Sequence, residues 1–122
     1  MKVKALFRLL LIAALAASFA SMAVAAEVQG ILLDKMCSGP IVKSNNQAAA
    51  KQHSRDCALM EDCVKAGFGV LTSDGKFINI DPAGKDKVVQ LLKASTKKDD
   101  LRVQVAGELK GDTIKITSIK IL

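Results

Sequence analysis

From Leu101 to the C-terminus, apolar and polar residues alternate, and the alternation slips at two definite places. Leu101, Val103 and Val105 keep a strict period of two, Gly107 interrupts before Leu109, and Lys110-Gly111-Asp112 turns the chain. Ile114 and Ile116 then resume the pattern, Thr117-Ser118 shifts its phase, and Ile119 and Ile121 carry it on. Period two marks strands with one buried face, because successive side chains point to opposite sides. A one-residue slip is how a bulge enters a strand, and bulges bend strands around the corners of small barrels. The last 22 residues of the chain therefore read as a bulged hairpin.

Upstream signals supply the remaining elements. Glu27–Lys35 reads as a first strand, with Gly30 a bulge or a point of close approach. Ser38-Gly39-Pro40 is a turn signal, and Ile41–Gln52, rich in Asn and Ala, is a loop or a weak helix. Ser54 is a natural N-cap for a helix over Arg55–Ala66, which Gly67 would end in the left-handed region. Phe68–Thr72 and Phe77–Ile80 flank Asp74-Gly75, a strong hairpin signal. Asp81-Pro82 caps and starts a second helix, whose stripe is Val88, Val89, Leu91 and Leu92 and whose end is near Ser95. The order is strand, helix, hairpin, helix, hairpin. Five strands with a helix between the third and fourth is the order of an OB-fold, a five-stranded, partly open Greek-key barrel. The expected fold is mainly β with two helices, an OB-like partly open barrel. The alternative is an α+β sheet with both helices on one face.

Composition matters at the N-terminus. Residues 1–26 hold 21 apolar side chains and three charges, Lys2, Lys4 and Arg8, all basic. A basic start, the apolar run Leu9–Ala20 and small residues up to Ala26 form the pattern of a secretory signal peptide cleaved after Ala25 or Ala26. The other reading, a membrane anchor, has only 18 uncharged residues, Leu9–Ala26, and no basic stop-transfer flank. The expectation is therefore a leader over residues 1–26 and a single small β-rich domain over 27–122. The protein would be periplasmic or secreted and would meet the membrane only transiently, through the leader. The remaining 96 residues carry 15 basic and 12 acidic groups. A chain of that size makes one small core.

The domain also holds three cysteines, Cys37, Cys57 and Cys63, and the single histidine, His53. An odd count in an exported chain means one disulfide and a free thiol, an intermolecular bridge, or a metal site. On an unbroken helix His53, Cys57, Met60, Cys63 and Val64 share one face, which is equally the buried stripe of an amphipathic helix. Cys57 and Cys63 would then stand about 9 Å apart along the axis. That is too far for a bridge. Cys37–Cys63 is the expected disulfide, with Cys57 as the alternative partner for Cys37, closing a loop worth roughly 3–4 kcal/mol. His53 and Cys57 at i and i+4 also suit joint ligation. With Cys37, Cys63 and the nearby Met36 and Met60, the candidate metal set is Cys37, His53, Cys57 and Cys63, soft enough for Cu or Zn.

The pattern Gly30-x3-Asp34-x2-Cys37, His53-Ser54-x2-Cys57, Cys63-Val64-x2-Gly67, Asp74-Gly75-Lys76 and Val103-x-Val105-x-Gly107 resembles a group of small, uncharacterised exported bacterial proteins. The resemblance spans nearly all of residues 27–122. It implies export and a compact β-rich domain, and it brings no catalytic residue.

Other functions lack their residues. OB-folds that bind single strands use basic grooves and aromatic platforms. Beyond the leader this chain has only Phe68 and Phe77, no Trp and no Tyr. Nucleic acid is not an expected partner. Glu61-Asp62 and Asp99-Asp100 are adjacent pairs whose side chains diverge, so neither makes an acid/base pair. The leading expectation is a non-enzymatic binding or structural module, stapled by a disulfide, without a cofactor, whose partner is another protein or a small ligand. The alternative is a soft-metal-binding or thiol-redox protein using His53 and the cysteines.

Overall fold

The computed structural model describes residues 23–122. The expected leader lies outside the described residues except at its end, where Val24–Ala26 already belong to the first strand. In chain order the elements are β1 (Val24–Asp34), α1 (Lys35–Lys43), α2 (Gln47–Gln52), α3 (Arg55–Ala58), α4 (Glu61–Ala66), β2 (Phe68–Leu71) and β3 (Phe77–Ile80). A 3-10 turn (Pro82–Gly84) leads into α5 (Lys85–Ala94), and β4 (Arg102–Lys110) and β5 (Thr113–Ile121) complete the fold.

The strands close in the order β1-β2-β3-β5-β4, with β4 returning to β1. Every neighbouring pair is antiparallel except β3 and β5, which run parallel. This is an OB-like five-stranded barrel, closed rather than partly open. Closure excludes the open α+β sheet. The two slips seen in the sequence are the two sides of one irregularity: Ala106 pairs with Ser118 and Gly107 with Ile116, so Thr117 has no partner in the ladder. Gly107 fits there because a Cβ would collide with the Lys115 carbonyl. At Gly30 a Cβ would collide with the Leu71 carbonyl, so close approach is what that glycine permits.

The barrel interior is filled by Leu32, Phe68, Val70, Ile80, Val103, Val105 and Ile114, and α5 closes it with Val88 and Leu92. A second cluster of Ile31, Leu33, Ala50 and Leu71 lies on the outside of β1 and β2, under Ile41 and Val42. The last four residues of β1 and all of β2 are therefore buried on both faces. That double burial is the work of the inserted helices, and it sets the position of the site.

The segment between β1 and β2 differs most from expectation. Asp34 accepts from the Cys37 amide and starts α1, so Ser38-Gly39-Pro40 lies inside a helix rather than a turn. Asn46 caps α2 by accepting from the Ala49 amide. Ser54 is the expected cap, accepting from the Cys57 amide, but the helix over Arg55–Ala66 is broken. Leu59 ends α3, and Met60 is extended (φ −60°, ψ 143°) before α4 begins. The end at Gly67 is as expected, with φ +91°.

Candidate metal centre

Four segments deliver the site. Asp34 is the last residue of β1 and is fully buried. It divides its carboxylate between two tasks: Oδ2 caps α1, and Oδ1 faces His53 Nε2 at 2.6 Å. Cys37 stands in the first turn of α1, His53 is the C-cap of α2, and Cys57 lies in α3 just past the Ser54 cap. One donor atom from each of Asp34, Cys37, His53 and Cys57 lies within 4.8 Å of the other three. Asp34 and His53 form the inner side of this group, while Cys37 and Cys57 are partly exposed on its outer side.

Short distance is not the same as a satisfied contact. Asp34 Oδ1 and His53 Nε2 are close but lack the alignment of a hydrogen bond, and both are unpartnered, as is His53 Nδ1. Among the described residues only one other buried side-chain atom, Asp100 Oδ1, shares that condition. An unpaired buried polar group costs about 1–3 kcal/mol. Oδ1 and Nε2 face each other at ion-pair distance, so Nδ1 of His53 is the atom of this cluster with no close polar partner.

The thiols bear the electrostatic consequence. Burial, then the Asp34 carboxylate, then Cys57, pushes the Cys37 thiol up from its ordinary value. Cys63 is 3% exposed, and burial followed by Asp34 pushes it to about 12. These shifts run opposite to those of an activated nucleophilic thiol, so at Cys37 burial and the Asp34 carboxylate outweigh the N-terminus of α1. A metal ion held by the same groups would favour the thiolates and oppose these shifts.

Of the residues singled out in the sequence, Cys37, His53 and Cys57 come together, and Cys63 lies beside them but outside the four-donor set. Met36 and Met60 do not join: they are 60% and 59% exposed. His53 and Cys57 do not meet through helical i, i+4 spacing, because the chain is extended at His53 and Ser54. The expected Cys37–Cys63 disulfide is not formed, nor is the Cys37–Cys57 alternative; all three cysteines are free. That pairing needs the end of β1 to meet the start of β2, which it does at Asp34 and Phe68, but the Cys63 thiol lies against Asp34 instead. Asp34 is the donor that the sequence reading passed over. Its signal was present as Asp-x-x-Cys, the spacing of an N-cap, which accounts for one oxygen and says nothing of the other. No protein-family model matches this chain, and no solved structure matches it.

Proposed function

We propose that this protein is an exported metal-binding module that holds a zinc-class divalent ion with Asp34, Cys37, His53 and Cys57. The observation that carries the reading is the convergence of four donors, one from each of four segments, within 4.8 Å of one another, with Asp34 and His53 buried. The donor set is one oxygen, one nitrogen and two sulfurs. Two thiolates and an imidazole disfavour Mg and Ca, and the carboxylate tilts the remaining choice from Cu(I) to Zn. Four protein donors close a tetrahedral site and leave no open position, so the ion would be carried or structural rather than hydrolytic. The partly exposed sulfurs of Cys37 and Cys57 give it a route in from solvent. The export part of this reading rests on the Met1–Ala26 pattern, and an OB-like barrel is a fitting rigid support for the centre.

The test uses reduced, metal-free protein and Zn2+ titrated against a chromophoric chelator, with Co2+ as a spectroscopic stand-in. One ion per chain is expected, with thiolate-to-cobalt charge-transfer absorption and tetrahedral d–d bands. His53→Ala should weaken binding by about tenfold or more, since a ligand matters at least as much as its supporting shell. Absence of binding, together with a single reactive thiol in protein purified without reductant, would overturn the proposal and restore the disulfide-stapled module.

A further inference from the structure

Away from the metal centre, three opposed residues run in a row across the outer face of the barrel. Ile31 on β1 is paired with Leu71 on β2 to one side and with Arg102 on β4 to the other. Opposed residues point to the same face of a sheet, so a guanidinium stands beside an apolar pair. Next to this row α2 carries Gln47 and Lys51, four residues apart and so on one side of the helix. Together these residues line a cleft of about 340 Å³, with the buried Ile31 and Leu71 at its floor. One residue ties its two cationic segments together. Asp100, at φ +46°, donates its N–H to Lys51 O and accepts on its carbonyl from Arg102 N, both at 2.7 Å. Part of the lining is also held in place: Gln47 Nε2 donates to Thr72 O, and Gln29 Nε2 to Gln104 Oε1, each at 3.0 Å. Neither cation is spent. Among the described residues Lys51 has no ion-pair partner, and Arg102 has only Asp100 Oδ1 at 3.9 Å, beyond hydrogen-bond length. No carboxylate among them lines the cleft.

We propose that this cleft binds a short organic dianion, a small dicarboxylate. Two unspent cations with no carboxylate beside them in the lining select two negative charges. Arg102 offers a planar fork that matches a carboxylate, and Lys51 offers a point charge on a flexible stem. Inorganic phosphate meets the charge and not the volume, because sites for small organic molecules run about 300–1,000 Å³ and this cleft falls within that range. A long apolar tail finds little to cover, since Ile31 and Leu71 are already buried by the protein. Part of the lining is fixed before any ligand arrives, which lowers the ordering cost of binding. None of Asp34, Cys37, His53 and Cys57 lines the cleft, so the inference stands independently of the metal-binding reading.

The test is an NMR titration of the purified, reduced protein at fixed ionic strength with succinate, with inorganic phosphate and with neutral succinamide. Succinate should bind saturably and move the amides of Ile31, Lys51 and Arg102, and at the same concentrations the other two should not saturate. Lys51→Gln and Arg102→Gln change exposed side chains and should each weaken succinate binding by about tenfold or more, the loss expected for a hydrogen bond to a charged group. Lys93→Gln, equally exposed but on α5, removes the same charge elsewhere and should leave the affinity within about twofold. Saturation by phosphate at the same concentrations would make the cleft a general anion site and overturn the proposal. So would succinate shifts that never saturate, or a Lys93→Gln loss as large as that of Arg102→Gln. Zn2+ binding, measured separately, is decided by other residues, so either reading can fall while the other stands.

Discussion

Asp34 shows how one side chain can be legible and still be missed. Its place at the end of a strand and three residues before Cys37 is readable as a cap, and Oδ2 does cap α1. Which way Oδ1 turns depends on His53, nineteen positions later and fixed by the end of α2, and no local spacing encodes that. His53, Cys37 and Cys57 were legible because their residue types are rare here and chemically distinctive. Cys63 carries the residue-scale prediction. Its folded value of about 12 stands above the ordinary 9.0, so between those two values an unfolded chain releases a proton that the folded chain keeps. The unfolded state then binds fewer protons, and stability falls as pH rises through that window. Urea unfolding of the reduced, metal-free protein from pH 8 to 11 should show the fall, and Cys63→Ala should make it shallower. Parallel pH profiles for the two proteins would refute the placement of this thiol.

At the scale of elements, the sequence served best where a single physical signal dominated. Asp74-Gly75 gave the β2–β3 hairpin with Gly75 at φ +88°, and the phase slip near Thr117 located the bulge. The helix over Arg55–Ala66 contains no Gly or Pro, so nothing in it announced the break at Met60. That break is a tertiary effect: α3 and α4 are each tied to different neighbours, with Arg55 N donating to Lys98 O and α4 packed on α1. The stripe of α5 was correctly located but not uniformly buried. Val88 and Leu92 are fully enclosed, whereas Val89 and Leu91 are only half-buried. Leu92→Ala should therefore cost about 2–5 kcal/mol and Leu91→Ala clearly less. Chemical denaturation of the two variants checks the order, and equal losses would show that α5 sits differently on the barrel.

For the whole molecule, the order of five strands was recoverable because hairpins and bulges are local, while closure followed only from the OB-like barrel that this order implied, since it depends on β1 meeting β4 and β3 meeting β5. The first strand also begins earlier than its sequence suggested. Ala-rich stretches are weak strand formers. Here Val24, Ala25 and Ala26 are nevertheless paired with Leu109, Glu108 and Gly107. Those three pairs lie at the rim, where Val24 is 63% exposed, so they add little to the core. A chain beginning at Glu27 should melt within a few degrees of one beginning at Ala23, as surface changes usually stay within about 0.5 kcal/mol. A large drop in melting temperature would show that removal of a leader up to Ala26 weakens the barrel.

The seam between β1 and β4 also dictates an order of events. Val24 waits for Leu109, and Ile31 for Arg102, so the seam closes only when nearly the whole chain has emerged. A ribosome or an export channel delivers the N-terminus first. Until the last two strands arrive, β1 has one edge open to any extended segment that passes. The donors from Asp34 to Cys57, by contrast, span a short stretch whose ends meet at little entropic cost. The centre can therefore assemble early, while the barrel around it must be finished last.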